Sequence, residues 1–355
     1  MNYNGTGYAY DGYGNTLPPP RLEPVPVALP GSRANGPVSV PVPYETALQQ
    51  RPIMSFLEHG RHYDSFRPGK YMFPMDAEEM DRMDIFHKLF QVARSNDSHF
   101  GGLYQRPIPS QSRILDLGCG SGIWAIETAE HNAQAHILGW DLSLIQPLRI
   151  PPNVVFERRD MEEPWTGIEE NSFDLIHMRM LLGSIAHWPW VYGQVFRHLI
   201  PGSGLLEHVE IDFRPLCEKG GKIPLQGSKL DEWSRELHEA MSRCGRPMEM
   251  ESNTAEVLQG IGFVDIEHIQ KRVPFNPWSD DPHEKEMGKW FNLAMTQGLE
   301  ALALAPLTRK NGYSKEKVTE MNTHVRKEIC SRELRAYCTM HIWTARRPPL
   351  PGRRA

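Results

Sequence analysis

The stretch Ile114-Leu115-Asp116-Leu117-Gly118-Cys119-Gly120-Ser121-Gly122-Ile123-Trp124 decides the fold. Three of its first four residues are aliphatic, which is typical of a short buried strand. The five residues from Gly118 to Gly122 have almost no side chain, and a helix is predicted from Ile123 onwards. A strand, a glycine turn and a helix in this order form the nucleotide-binding corner of doubly wound α/β folds. The glycines permit positive φ angles and let a ligand lie against the backbone.

The turn differs from two common phosphate-binding patterns. The dinucleotide pattern G-x-G-x-x-G requires glycine where the chain has Ile123, and no Lys-Ser/Thr pair follows, so the turn is not a P-loop. The carboxylate of Asp116 suits a ligand with a cationic end better than a pyrophosphate. Asp141 ends the next predicted strand, where an acid accepts hydrogen bonds from ribose hydroxyls. A positive amino-acid end, a ribose and no phosphate together describe S-adenosylmethionine (SAM).

The motifs around Asp116, Asp141 and Asp160-Met161 resemble those of the class I SAM-dependent methyltransferases. The flanking sequence narrows the resemblance to the fungal LaeA family, the methyltransferase-like regulators of secondary metabolism and development. The segments similar to that family are GKYMFP at 69–74, DRMDIFHKLF at 81–90, GIWAIE at 122–127, VEIDF at 209–213 and FNPW at 275–278. The resemblance extends from about residue 60 to about residue 348. The glycine turn alone indicates the class, whereas the whole set in this order is specific to the family.

Composition excludes several kinds of protein. The 355 residues have a formal net charge of −5, which gives no general electrostatic reason to bind nucleic acid. No apolar run approaches the roughly 20 residues of a membrane span, and the N-terminus lacks a signal pattern. The five cysteines are dispersed without CxxC spacing, which favours reduced thiols in the cytosol or nucleus and argues against a zinc module. We therefore predict no membrane, nucleic-acid or metal site.

The chain divides into four predicted parts. Residues 1–50 are rich in proline and glycine and are predicted to be a disordered tail. Residues 51–112 form an N-terminal lid and helical segment, with a helix over about 77–94 and no obvious strand in the lead-in 60–75. Residues 113–345 form the methyltransferase domain, which has a helical insertion at about 276–330. Residues 346–355 are predicted to be a basic tail.

Strands alternate with helices through the predicted domain. Strands are expected at about 113–117, 136–141, 154–158, 172–180 and 205–211, which implies a mostly parallel sheet with right-handed crossovers. A last strand at 337–344 is expected to run antiparallel beside a strand near 265. The predicted fold class is therefore α/β, a Rossmann-like class I methyltransferase. Its seven-stranded sheet is mostly parallel with an antiparallel last strand, and it has helices on both faces, an N-terminal helical lid and a helical insertion.

Ligands of such sheets collect beyond the carboxyl ends of the strands, where Gly118, Asp141, Asp160 and Arg179 are all predicted to lie. An acid at position 160 can accept a hydrogen bond from the adenine amino group, although a plain loop acid is the alternative. In the resembling family the lid covers the SAM pocket, so Tyr71 or Arg67 is expected to contact the cofactor. The alternative is that Tyr71 is an aromatic residue of the core. The predicted cofactor-binding residues are Tyr71, Asp116, Gly118, Cys119, Gly120, Gly122, Asp141, Leu142, Asp160, Met161 and Arg179.

The chemistry places few demands on the protein. Methyl transfer from a sulfonium is an in-line displacement that needs alignment in a dry pocket, but no metal and no covalent nucleophile. A general base is needed only when the acceptor has a proton to lose. His177 and Arg179 are the candidates for a chemical role, although a histidine in a buried strand is more often structural. The sequence identifies neither the catalytic residue nor the methyl acceptor.

Three functions remain open from the sequence. The first is a SAM-dependent methyltransferase that acts on a protein, and the second is a methyltransferase of a small metabolite. The third is a regulatory scaffold that binds SAM with little turnover. The resemblance implies a nuclear regulator of secondary metabolism and development, including sporulation, that associates with velvet-domain proteins. The intact Asp116, Gly118, Gly120 and Asp141 argue against a degenerate pocket.

Overall fold

A seven-stranded sheet forms the centre of the computed structural model, which describes residues 54–96, 101–219, 221–350 and 352. The predicted disordered tail, residues 1–50, lies outside the described residues. The strands are β3 (Arg113–Leu117), β4 (His136–Asp141), β5 (Val154–Arg158), β6 (Leu175–Arg179), β7 (Leu205–Cys217), β8 (Val264–Pro274) and β9 (Ala336–Arg346). They lie side by side in the order β5-β4-β3-β6-β7-β9-β8.

The pairing of the strands agrees with the predicted fold class, which is confirmed. Neighbours from β5 to β7 are parallel, and β9 is antiparallel to both β7 and β8. Ile114, Leu115 and Leu117 of β3 are fully buried, as expected for a central strand covered on both faces. The register places Asp116 beside Gly139 on one side and His177 on the other. The sheet thereby brings the acid of the glycine-turn motif and the histidine of β6 together.

Seven helices are described, and most of their bounds lie close to the prediction. They are α1 (Ala77–Arg94), α2 (Ile123–His131), α3 (Trp188–His198), α4 (Lys229–Arg243), α5 (Thr254–Ile261), α6 (Pro282–Asn311) and α7 (Lys315–Cys330). Asp76 caps α1, because its carboxylate accepts a hydrogen bond from the backbone N–H of Glu79. The same carboxylate pairs with Arg61 at 2.7 Å, which joins the start of α1 to the lead-in.

Residues 55–64, which overlap the start of the lead-in, form a hairpin that the sequence did not predict. Its strands are β1 (Ser55–Glu58) and β2 (Arg61–Asp64), which pair only with each other in the described sheets. His59 and Gly60 form the two-residue turn, and both have positive φ angles, 54° and 88°. The expectation of no strand here is wrong because four-residue strands are too short to show a clear alternation of polar and apolar residues.

Helix α6 packs against α1, α4 and α7 around one large apolar core. The predicted insertion is therefore a structural layer of the domain. Gly288 of α6 lies against the backbone of Asn276, where an added Cβ would be 2.5 Å from the carbonyl oxygen. This close approach fixes α6 against the segment that follows β8.

The carboxyl end of the chain belongs to the fold up to Arg347. Arg346 is the last residue of β9, and its guanidinium pairs with Asp265 at 2.6 Å. Arg347 is buried and donates hydrogen bonds to the carbonyl oxygens of Arg197 and Leu199. Two of the four arginines assigned to a basic tail are thus anchored. Among the described helices, none has the length and apolarity to cross a bilayer.

The close approach of α6 predicts a difference between two helical glycines. Gly288→Ala should lower the free energy of unfolding by about 1–3 kcal/mol, because the backbone of Asn276 has to move. Gly193→Ala in α3 is the matched control, since nothing lies within 4 Å of its added Cβ. It should raise stability by up to about 1 kcal/mol through helix propensity. Urea denaturation of both variants checks this, and equal effects would contradict the packing described.

Candidate active site

A cleft opens at the carboxyl ends of β3, β4 and β6, beneath α1 and the lead-in. Its empty volume, counted out to the open mouth, is about 1000 Å³. The predicted site residues that line it are Tyr71, Asp116, Gly118, Cys119, Gly120, Asp141, Leu142, Met161, His177 and Arg179. Gly122, Asp160 and Arg67 are not among the lining residues. The structure therefore brings most of the predicted set together at one sheet edge.

The glycine turn follows β3 and forms the floor of the cleft. Gly118 and Gly120 have φ angles of 68° and 55°, which residues with a Cβ rarely adopt. A Cβ on Gly118 would also lie 2.3 Å from Cδ2 of Leu181. Gly122 has a φ of 79° at the start of α2 and packs against Phe156, so it shapes the turn without lining the cleft.

Asp141 holds the glycine turn from the end of β4. Its carboxylate accepts hydrogen bonds from the backbone N–H groups of Gly120 and Ser143, both at 2.9 Å. Burial raises the pKa of Asp141 to about 6, although these two hydrogen bonds lower it. At neutral pH the group is mainly an anion at the edge of the cleft, and a carboxylate can accept further hydrogen bonds from a ligand's hydroxyl groups.

Asp116 is buried at the end of β3 and is bonded to a neutral histidine. Its carboxylate accepts a hydrogen bond of 2.8 Å from Nδ1 of His177, whose ring stacks on Trp124 at 3.7 Å. Burial lowers the pKa of His177 well below its usual range, so the ring is uncharged. Burial raises the pKa of Asp116 to about 7, although the positive charge of Arg179 lowers it. His177 therefore orients Asp116 without neutralising its charge.

Arg179 extends into the cleft from the end of β6. Among the described residues, no carboxylate oxygen lies within 4 Å of its guanidinium. The guanidinium donates to Nδ1 of His87 at 3.0 Å and lies over the ring of Phe90 at 5.0 Å. Burial lowers the pKa of Arg179 to about 10, so the charge persists at neutral pH. Because Nδ1 of His87 must accept, its Nε2–H donates to Glu127 at 2.9 Å.

The cleft thus contains two acidic groups, Asp116 and Asp141, and one cation, Arg179, and no ion pair within the described chain compensates any of them. Asp116 and Arg179 lie at the ends of adjacent parallel strands. Buried charges without ionic partners are costly, and a ligand of opposite charge relieves that cost. An amino-acid end with an ammonium and a carboxylate is complementary to this pair. Asp141, one strand further along, is available to a ribose.

The family resemblance implied a helical lid over this cleft, but none of the α1 side chains that form its roof was predicted as a site residue. The lining side chains of α1 are Arg82, Met83, Phe86, His87 and Phe90. Helical periodicity identified this face as apolar and buried, but gave no sign that it covers a cleft. The charge of Arg82 is compensated by the buried carboxylate of Glu79 at 2.7 Å. Arg82 therefore differs from Arg179, which has no such partner.

A buried carboxylate fixes the loop after β6, and no sequence signal indicated it. Glu210 of β7 accepts hydrogen bonds from the backbone N–H groups of Leu181 at 2.7 Å and Leu182 at 3.3 Å. It also accepts from Nε2 of His208 at 2.9 Å, while Nδ1 of His208 accepts from the hydroxyl of Tyr192. The loop begins at Met180, which lines the cleft with a φ of 57°. Glu210 thereby holds this strained wall in place.

Asp160 faces the lead-in. Its carboxylate pairs with Lys70, and Arg67 lies 3.6 Å away. The neighbouring Met161 does line the cleft and can pack on a flat ring, as predicted. The role of Asp160 as an adenine acceptor stays a prediction. In the described part of the chain, no group of three or more His, Cys, Asp or Glu residues is arranged to hold a metal ion.

The chain is similar to proteins that have a methyltransferase domain. A family model described as "Methyltransferase domain" matches residues 84–268. The secondary metabolism regulator LAE1 of Cochliobolus heterostrophus is 47% identical over 83% of this chain and 95% of that protein. The protein-methionine methyltransferase laeA of Emericella nidulans is 42% identical over 82% of this chain and 76% of that protein. A solved Haemonchus contortus phosphoethanolamine N-methyltransferase 2 with S-adenosyl-L-methionine has a TM-score of 0.43 and 16% identity, covering 86% of this chain and 73% of that one.

The raised pKa of Asp116 predicts how its substitution acts on stability. The folded pKa lies above the unfolded value, so the folded protein loses stability as pH rises from about 4 to 7. Asp116→Asn removes this loss, and its amide oxygen can still accept from His177. In the absence of ligand the variant should be more stable than wild type at pH 8, by about 1–4 kcal/mol.

Denaturation at two pH values checks this expectation. The advantage of Asp116→Asn should shrink at pH 5, where the wild-type carboxyl is largely protonated. A variant that is less stable than wild type at pH 8 would show that the charge of Asp116 is compensated inside the protein.

Proposed function

Because the chain belongs to the LaeA/LAE1 family of secondary metabolism regulators with a methyltransferase domain, we propose that it uses SAM to methylate a protein. The proposal extends to its setting, a nuclear global regulator of secondary metabolism and development in complex with velvet-domain proteins. Family membership and the methyltransferase class, both predicted from the sequence, are confirmed. The nucleus and the velvet partners are supported by family membership alone.

The pair formed by Asp116 and Arg179 is the observation that supports SAM most strongly. Asp116 would bind the ammonium of the amino-acid end, and Arg179 would bind its carboxylate. Asp141 would accept hydrogen bonds from the ribose, with Leu142 and Met161 beside the base. Gly118 and Gly120, whose positive φ angles favour glycine, let the ligand approach the backbone of the turn. These residues fit SAM in charge and in position along the sheet edge.

The protein's part in the reaction is alignment and exclusion of water. When bound, SAM supplies a methyl group on a positively charged sulfur, which is already activated for transfer. Phe86, Phe90 and Met83 of α1 cover the cleft and keep it apolar. Glu210 fixes Leu181 and Leu182, so the wall beside the glycine turn keeps its shape. Alignment in a dry cleft contributes to the rate by removing orientational freedom and solvent.

A methionine thioether is the acceptor that the site favours. Among the titratable groups of the cleft, His177 holds Asp116, backbone N–H groups hold Asp141, and Arg179 holds His87. Burial raises the pKa of the Tyr71 hydroxyl well above its usual range, so this group stays protonated at neutral pH. A thioether has no proton to lose, so its methylation needs no general base. A relative from Emericella nidulans is named a protein-methionine methyltransferase, which is consistent with this acceptor. His177 and Arg179 then serve binding.

Two ligands that differ only in the amino-acid end test the assignment of charges. S-adenosylhomocysteine contains that end, whereas methylthioadenosine lacks it. Asp116→Asn and Arg179→Met should each lower the affinity for S-adenosylhomocysteine by roughly ten- to a hundredfold. Each should lower the affinity for methylthioadenosine by less than about threefold. Asp141→Asn, the ribose control, should weaken both ligands alike. Calorimetry at pH 7.5 measures all eight affinities, wild type included.

The outcomes of this comparison are distinct. If Arg179→Met lowered the affinity for both ligands equally, Arg179 would not be the residue that binds the carboxylate of the amino-acid end. Wild-type protein that binds neither ligand would contradict the use of SAM.

The protein acceptor is tested by following the methyl group. Purified protein, SAM labelled with tritium in the methyl group, and a velvet-domain protein should give label in the protein fraction. We expect the methyl group on a methionine side chain, which becomes a sulfonium. Mass spectrometry of peptides would detect it as one added methyl group on that methionine. Label that appears only in small molecules of an extract would favour a metabolite methyltransferase. SAM binding without any transfer would favour the regulatory scaffold.

A further inference from the structure

Six charged side chains join the walls of the cleft at its mouth. Lys70 of the lead-in pairs with Asp160 and lies 3.1 Å from Glu162. Glu162 also pairs with Arg246 at 2.8 Å and accepts hydrogen bonds from the backbone N–H groups of Ala186 and His187. Arg67 and Glu163 complete the network at the surface, 3.4 Å apart. Positive and negative groups alternate, so neighbouring charges attract each other.

The network connects three segments that each line the cleft. Tyr71 follows Lys70 directly, and Met161 follows Asp160. Arg246 donates to the carbonyl oxygen of Ser184, which lines the cleft after β6. The lead-in is held by the buried side chains of Met72 and Phe73 and by a hydrogen bond from Ser143 to Asp64. Lys70 and Arg67 add the ionic contacts between the lead-in and the rest of the cleft mouth. The sequence separation of 90 residues between Lys70 and Asp160 makes this a long-range closure.

Lys70 and Arg67 differ in how much water reaches them. The side chain of Lys70 is 19% exposed and that of Asp160 only 4%, whereas Arg67 is 45% exposed. Exposed ion pairs contribute little, but removing one partner of a buried pair leaves a charge without compensation. Each of the two cations contacts two carboxylates, but both partners of Lys70 are largely buried, whereas one partner of Arg67 is exposed. The closure is therefore expected to depend on Lys70 and hardly on Arg67.

We propose that Lys70 is a positioning residue that fastens the lead-in over the cleft through Asp160 and Glu162, so that cofactor leaves only when these ion pairs open. Asp160 acts here as the fastening point of the lead-in. This inference rests on the proposed use of SAM for its ligand, but the fastening itself is a property of the free protein.

Hydrogen exchange of the free protein tests the fastening without any ligand. Lys70→Met keeps the length of the side chain and removes its charge. Amides of residues 65–75 should exchange on the order of tenfold faster in this variant, because local opening no longer breaks ion pairs. Arg67→Met is the matched control and should change exchange by less than about twofold. Unchanged exchange in Lys70→Met would overturn the proposal.

Dissociation of S-adenosylhomocysteine tests the consequence for the cofactor. Stopped-flow tryptophan fluorescence should show release on the order of tenfold faster from Lys70→Met, with Arg67→Met close to wild type. When the salt concentration rises from 0.05 to 0.5 M, the dissociation rate of S-adenosylhomocysteine from wild type should increase by roughly threefold, because salt screens the ion pairs. The dissociation rate from Lys70→Met should increase by less. A wild-type protein with no binding would contradict the use of SAM, whereas normal binding with unchanged release in Lys70→Met would contradict only the fastening.

A double variant separates fastening from general destabilisation. Lys70→Met leaves Asp160 with only the more distant and half-exposed Arg67 as its cation, so the single variant should melt earlier than wild type. Lys70→Met with Asp160→Asn removes both charges and should recover most of the melting temperature while release stays fast. If S-adenosylhomocysteine left the double variant at the wild-type rate, Lys70 would act only by compensating the charge of Asp160, which would contradict the fastening.

Discussion

The structure depends on two opposite charges that the protein keeps in one cleft without neutralising them. Asp116 has a neutral histidine as its partner, and Arg179 has another. Both contacts orient the charged group and leave its charge available. An isolated buried charge costs stability, so the free protein is less stable than a version with uncharged groups would be. A zwitterionic ligand compensates both charges together, which is the physical basis for specific binding at this sheet edge.

The sheet and α1 together hold this cleft in shape. The strand register aligns Asp116, His177 and Glu207 in one row across three parallel strands. Glu207 pairs with Arg94 at 2.8 Å, and both side chains are almost completely buried. Arg94 lies in the last turn of α1, the helix whose earlier turns cover the cleft. The polar row therefore fixes the roof as well as the floor. A buried pair of this kind is strongly destabilising to break, which favours a single position for α1.

The sequence was sufficient for the framework because its signals are local. The apolar runs, the glycine turn and the acids at strand ends predicted β3, β4 and β5, and most of the residues predicted for the site do line the cleft. The network of Lys70 and Asp160 could not be predicted in the same way, since it joins residues 90 positions apart. The same holds for Glu210, whose backbone partners lie 28 and 29 residues away. Helical periodicity placed Phe86 and His87 on a buried face, but which surface they cover depends on the whole fold.

Proton release on ligand binding shows whether Asp116 pairs with the ammonium of the ligand. The pKa of Asp116 is raised to about 7 in the free protein, and a bound ammonium must lower it again. Calorimetry of S-adenosylhomocysteine binding at pH 7, in buffers of different ionisation enthalpy, counts the protons exchanged. The account predicts release of about half a proton from wild type, and close to none from Asp116→Asn. Proton uptake by wild type, or equal release from both proteins, would contradict the pairing of Asp116 with the cationic end of the ligand.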